Sequence, residues 1–222
     1  MTLLIFDCDG VLVDSEVLAN AALADLMTAL GRPMSTEEAI GIFTGRQLRD
    51  VLAQAERLLD RPIPADLGER AGAAMLDRFR RELKAVVGVR EAIAALPGPR
   101  CVASSSKRER IALSLEVTGL APLFGENVFS AEQVVHGKPA PDLFLLAAES
   151  LGFAPNACIV VEDSPLGIRA ARAAGMTAVG FAGASHATPQ LAKSLSEEGA
   201  VAVVSSMADL PAAVRILSDR MA

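Results

Sequence analysis

Tryptophan and tyrosine are absent from the 222-residue chain and phenylalanine occurs only 8 times, so few rings are available for single-stranded bases to stack on. Basic charge is also scarce: 21 Lys and Arg against 27 Asp and Glu leave a formal charge of −6, which argues against a broad cationic face for nucleic-acid backbones. No nucleic-acid partner is expected. Only three cysteines occur, Cys8, Cys101 and Cys158, each in or beside an apolar run and without paired or metal-type spacing. They read as buried free thiols, which suits a reducing cytoplasm. No apolar segment approaches the roughly 20 residues of a membrane span, and Asp7 and Asp9 interrupt the start before a signal-like stretch develops. No membrane association is expected. The two histidines, His136 and His186, stand in polar segments and are expected in exposed loops without a role.

With 51% hydrophobic and 22% charged residues, the chain can bury a sizeable core, and its length suits one large domain or one domain with an insertion. Short apolar runs recur at residues 3–6, 101–103, 127–129, 158–161, 178–181 and 201–204, and they read as buried strands. Helix-compatible segments separate the later runs: Ile111 with Leu115, Leu143 to Leu151, and Ile168 to Ala174. The alternation predicts an α/β fold, a parallel sheet flanked by helices. It is missing between Ser15 and Lys84, where Val17, Leu18, Ala21, Ala22 and Leu26, then Ile42, Val51, Leu52, Leu58 and Leu59, recur at helical spacing. Residues 15–84 therefore read as an inserted helical unit in a discontinuous core of 1–14 and 85–222.

A parallel sheet of this kind binds its ligand beyond the carboxyl ends of the strands, and several runs end there in polar residues. Asp7 and Asp9 follow the first run two positions apart, so on an extended chain they face the same side; Asp9-Gly10 is equally an ordinary hairpin turn. Ser104 and Ser105 close the second run and open a helix, where a hydroxyl and free N–H groups can hold an anion or Ser104 can simply cap the helix. Lys138 lies in Gly137-Lys138-Pro139-Ala140-Pro141-Asp142, whose prolines restrict the backbone around an otherwise ordinary lysine. Glu162 and Asp163 end the most apolar run, where two carboxylates need compensation; a divalent cation supplies it, and so does a helix start at Ser164-Pro165.

Taken in order, Asp7-Cys8-Asp9-Gly10-Val11-Leu12-Val13-Asp14-Ser15-Glu16, Ser104, Gly137-Lys138-Pro139-Ala140-Pro141-Asp142 and Val161-Glu162-Asp163-Ser164 resemble the haloacid dehalogenase superfamily, in its phosphatase branch with a small helical cap. The resemblance spans essentially the whole chain. It implies a Rossmann-like core, a cap inserted after the first motif, and Mg²⁺ bound by the Asp7 carboxylate, the Asp9 carbonyl and Asp163, with Glu162 joining directly or through water. Asp7 would form an aspartyl-phosphate, Asp9 would act as general acid and base, and Ser104, Ser105 and Lys138 would hold the phosphoryl group. A carboxylate meeting a phosphate is repelled by roughly 4 kcal/mol per charge pair at ~4 Å, about three powers of ten in rate, so the cation and Lys138 are needed.

The expected substrate is a small phosphorylated metabolite such as a sugar or sugar-acid phosphate, with Glu16, Arg46 and Lys107 as residues facing it. Each of the three is also readable as a solvated surface charge. A phosphomutase of the β-phosphoglucomutase type shares these motifs but carries a histidine in the first cap helix, where this chain has Ala19. Hydrolysis is therefore favoured over transfer. A non-catalytic phosphometabolite-binding module is the alternative of another class, and the intact acids at 7, 9 and 163 speak against it. A monomer is expected.

Overall fold

The computed structural model describes residues 1–43 and 48–221. The chain divides into two compact units, Met1–Asp14 with Lys84–Ala222, and Ser15–Leu83. It begins with β1 (Leu3–Phe6) and then enters the helical unit of α1 (Glu16–Ala29), α2 (Thr36–Phe43), α3 (Leu48–Leu59) and α4 (Leu67–Glu82). The core unit resumes with α5 (Val89–Ala94), β2 (Arg100–Ser104), α6 (Arg108–Val117), β3 (Val128–Ser130) and α7 (Asp142–Ser150). It continues through β4 (Cys158–Glu162), α8 (Pro165–Ala173), β5 (Thr177–Phe181), α9 (Pro189–Glu197), β6 (Ala202–Val204) and α10 (Leu210–Met221).

The six strands coincide with the six apolar runs, because a parallel sheet covered on both faces demands continuous rather than alternating hydrophobicity. They pair in the order β3-β2-β1-β4-β5-β6, all parallel. On one face Leu3, Ile5, Cys101, Ala103 and Val160 pack with Leu143, Phe144 and Ala147 of α7 and Ile168 and Ala171 of α8. On the strand β1, Phe6 alternates with Ile5 and meets Phe124 edge-on at 6.0 Å. The strand order reverses between β1 and β4, which opens a crevice beyond their carboxyl ends.

The core segments flanking the insertion are tied together: Asp14 N donates to Lys84 O at 3.0 Å, and Val86 N to Leu12 O at 3.0 Å. That pairing draws Lys84 into the core unit. Within the helical unit, Ala24, Met27, Ala39, Phe43, Val51, Ala55 and Leu67 form a separate apolar cluster. Its small members allow close packing of helices. Gly31, at φ 91°, turns the chain out of α1, and Pro62 and Pro64 lie between α3 and α4. Among the described residues no helix is long and apolar enough to cross a membrane.

Candidate active site

Four polar side chains converge where β1, β2 and β4 end. Asp7 follows β1, Ser104 ends β2, Glu162 ends β4, and Lys138 arrives on the loop before α7; all four are buried. Lys138 Nζ donates to Asp7 Oδ1 at 2.6 Å, to Glu162 Oε1 at 2.7 Å and to the Ala103 carbonyl at 2.9 Å. All three donors of the ammonium are thereby engaged, and the Phe144 ring lies 4.7 Å away on its apolar side. Burial alone would push the lysine pKa down, but Asp7 and Glu162 outweigh it and hold it above its ordinary value, so Lys138 is a permanent cation.

Glu162 is held from its other side. Its Oε2 accepts from Ser164 N at 2.9 Å and Ser164 Oγ at 2.8 Å, while Ser164 Oγ also caps α8 by accepting from Gly167 N. Gly167 is required here, since a Cβ would fall 1.9 Å from the Glu162 carboxylate. Both oxygens of Glu162 are thus occupied by protein donors. The sequence reading expects Glu162 at the metal directly or through water; here its oxygens meet Lys138 and Ser164, and the helix-start reading of Ser164-Pro165 holds beside it.

Asp163, one residue on, points elsewhere. Its Oδ2 lies 3.2 Å from Nε2 of His186, and a Cβ on Gly10 would come within 1.8 Å of the same oxygen. Gly10, at φ 77°, therefore serves both a tight turn and a close approach of backbone to carboxylate. His186 was expected in an exposed loop; its side chain is only 9% exposed. Its neighbour Ser185 donates from N and Oγ to Asp14 Oδ1, at 3.2 and 2.7 Å, and this pins the loop between β5 and α9. His136 does lie at the surface, 3.1 Å from Asp142.

The extended chain stops at Phe6, so Asp7 and Asp9 do not continue one strand as expected. Leu12 N and Val13 N both donate to the Cys8 carbonyl, and Asp9 sits in the turn they close. The turn and the acid are the same structure. Asp9 Oδ1 accepts from Arg110 Nη2 at 2.6 Å and Oδ2 from Ser106 Oγ at 2.6 Å. Ser106 N in turn donates to Ser104 Oγ at 3.1 Å, which leaves the Ser104 hydroxyl proton free to donate to a ligand. Ser105 is exposed beside it.

The carboxyl of Asp7 is pushed well above the usual carboxylate range, first by burial, with Lys138 pulling it down and Glu162, Asp163 and Asp9 pushing it up. Four carboxylates, Asp7, Asp9, Glu162 and Asp163, share this region with two permanent cations, Lys138 and Arg110. The excess of negative charge and the Gly10 cradle against Asp163 fit a hard divalent cation held by oxygen. Among the described residues no three His, Cys, Asp or Glu side chains form a metal-binding group. The expected donor set has Asp7 and Asp163 with the Asp9 carbonyl, and Glu162 joining directly or through water.

Of the expected substrate-facing residues, Lys107 is exposed immediately before α6, Glu16 opens α1 in the helical unit, and Arg46 lies outside the described residues. Ser106, Arg110 and His186 were missed. Only Ser106 had a legible signal, as the third serine of the run that begins at Ser104. The three cysteines are buried free thiols, with Cys158 pushed up by burial to about 11.

A family described as haloacid dehalogenase-like hydrolase matches residues 1–175 of the chain. The chain is 30% identical over 187 residues to the 6-phosphogluconate phosphatase of Escherichia coli strain K12, an alignment covering 83% of this chain and 84% of that protein. A crystal structure of a haloacid dehalogenase-like protein from Agrobacterium tumefaciens superposes with a TM-score of 0.88 at 40% identity, covering 98% of this chain and 99% of that one. A family hydrolase from Deinococcus radiodurans, solved with bound phosphate and sodium, gives a TM-score of 0.83 at 34% identity, covering 98% and 96%.

Proposed function

The chain belongs to the haloacid dehalogenase-like hydrolases, and on that premise we propose that it is a Mg²⁺-dependent phosphatase of a small sugar or sugar-acid phosphate, working through an aspartyl-phosphate on Asp7. The observation that carries this reading is the buried Asp7–Lys138–Glu162 cluster beside Asp163, at the crevice between β1 and β4. A nucleophilic carboxylate must be fixed and its repulsion for phosphate opposed, and this cluster does both. Lys138 orients Asp7 through Oδ1 and brings a charge that never leaves. Glu162, anchored by Ser164, keeps the ammonium in place.

Asp7, the Asp9 carbonyl and Asp163 are the groups that would hold Mg²⁺, which when bound neutralises the charge of carboxylate and phosphate. Ser104 Oγ and the N–H groups around Ser105 hold the phosphoryl oxygens. With its three donors engaged, Lys138 reaches the phosphoryl group by exchanging one of them. Asp9 delivers a proton to the departing oxygen and then accepts one from the water that releases phosphate. Ala19, in α1, offers no proton control of the mutase kind, which supports hydrolysis over transfer. The substrate's remainder is assigned, as the sequence reading has it, to Lys107, Glu16 and Arg46.

Turnover of 4-nitrophenyl phosphate, followed by a panel of phosphorylated metabolites, tests the reading. Hydrolysis is expected to need Mg²⁺ and to fall at least about a thousandfold in Asp7→Asn, the size of effect a removed nucleophile has. Retained hydrolysis in that variant, or indifference to exhaustive chelation, would falsify it. The sugar-acid assignment fails if no sugar or sugar-acid phosphate in the panel outperforms the aryl ester.

A further inference from the structure

Asp9 is gripped at both oxygens by Ser106, between β2 and α6, and by Arg110 in the first turn of α6, about a hundred residues away in sequence. Arg110 Nη2 and Ser106 Oγ each lie 2.6 Å from a different oxygen of its carboxylate. The pair is mostly shielded, with side-chain exposure of 21% for Arg110 and 14% for Asp9. Solvent-exposed ion pairs contribute little, but a charge-assisted pair withdrawn from water and completed by a second hydrogen bond fixes the carboxyl plane.

The grip is itself anchored. Ser106 is tied to the end of β2 through its N–H to Ser104 Oγ, at 3.1 Å, and to β3 through its carbonyl, which accepts from the buried Ser130 hydroxyl at 2.8 Å. One network therefore links the expected phosphate-holding serine to the expected proton donor. A change in where Ser104 sits is felt at Asp9 through a single intervening residue.

We propose that Arg110 and Ser106 are positioning residues that aim Asp9 at the departing oxygen of the substrate; the proposal rests on the phosphatase reading above. Their roles differ chemically. A guanidinium only donates, so Arg110 stays on its oxygen throughout. A hydroxyl donates or accepts, so Ser106 remains bonded to the other oxygen whether or not that oxygen carries the proton. In the first half of the reaction an Asp7 oxygen bonds to phosphorus while the phosphorus–ester oxygen bond breaks, its electrons going to that oxygen, which takes the Asp9 proton and leaves as an alcohol. In the second half Asp9 removes a proton from water, whose oxygen bonds to phosphorus as the Asp7–phosphorus bond breaks.

The experiment compares kcat/KM, which reports the first half-reaction, for 4-nitrophenyl phosphate and phenyl phosphate. Phenolate is the poorer leaving group and depends more on a well-aimed proton. Arg110→Ala is expected to lose about tenfold more on phenyl phosphate than on the nitrophenyl ester, a fraction of the total effect of a general acid. Arg110→Lys should recover part of the difference, and Ser106→Ala should move in the same direction by less. In an Asp9→Asn background, Arg110→Ala should add less than about twofold, because residues acting through one group are not additive. Equal losses on the two esters, or full additivity with Asp9→Asn, overturn the proposal; Ser106→Ala decides it if Arg110→Ala does not fold. Wild-type protein that hydrolyses neither ester with Mg²⁺ present overturns the phosphatase reading and takes the proposal with it, whereas Mg²⁺-dependent hydrolysis without the leaving-group effect leaves that reading standing.

Discussion

The two units of this chain bury different things. In the core unit, Asp7, Lys138, Glu162 and Asp163 are all withdrawn from water at the ends of strands. In the helical unit the buried polar side chains among the described residues are Ser15 and Asn20, and its centre is the alanine-rich cluster around Met27 and Phe43. One unit bears the cost of desolvating a cluster of charges; the other buries an apolar cluster and keeps its ion pairs, such as Arg32–Glu38 and Arg78–Asp25, at least partly exposed. Substitutions should therefore break the units in separable ways.

The sharpest separation is expected at Lys138. Lys138→Ala leaves Asp7 and Glu162 facing each other without their shared cation, a change that costs about 3–5 kcal/mol when one partner of a buried pair is removed. Turnover of 4-nitrophenyl phosphate should fall at least about a hundredfold as the electrostatic contribution goes. Denaturant unfolding and steady-state kinetics on the same preparation check both. Stability unchanged within error would show that Lys138 does not offset the buried charges of Asp7 and Glu162.

Next in size is Gly10→Ala. The new methyl meets Asp163 Oδ2 at 1.8 Å and His186 Cε1 at 2.9 Å, on a backbone at φ 77°. Left-handed backbone without glycine costs about 1–3 kcal/mol, and Asp163 must move. Titration calorimetry with Mg²⁺ is expected to show at least about tenfold weaker binding, since a ligand displaced by a fraction of an ångström loses most of its value. Undiminished binding would remove Asp163 from the proposed donor set.

The smallest loss of turnover is expected from the helical unit. Phe43→Ala should cost about 3–5 kcal/mol of stability by opening a cavity in that unit's own cluster. The aryl phosphate rate per folded molecule should change less than about threefold, as for independent sites. A collapse of aryl phosphate hydrolysis in well-folded Phe43→Ala would erase the contrast between the units.

Much of the core was legible because parallel strands buried on both faces have to be apolar without interruption, and the residue that ends each run is then marked for the crevice. Asp7, Ser104, Glu162 and Asp163 were found this way. Partners were harder to read. Whether Glu162 meets a metal or an ammonium depends on rotamers set by Ser164 and Gly167, which spacing does not reveal. Arg110 stands in a run of charges that looks like a solvated helix face, and only the packing of α6 turns it toward Asp9. His186 follows Gly183, Ala184 and Ser185, small residues without periodicity, and its burial arises because Ser185 binds Asp14 from the far end of the sequence.

The central position of β1 also governs when a growing polypeptide becomes competent. Its neighbours are β2 and β4, so the strand that leads into Asp7 waits unpaired on one side until Ser104 has been made and on the other until Glu162 has. The helices up to Leu83 are complete long before. Non-local pairing of this kind is slow to nucleate, and on the ribosome it follows the local packing of those helices. A product stalled before Glu162 therefore carries Asp7 but never the Asp7–Lys138–Glu162 cluster.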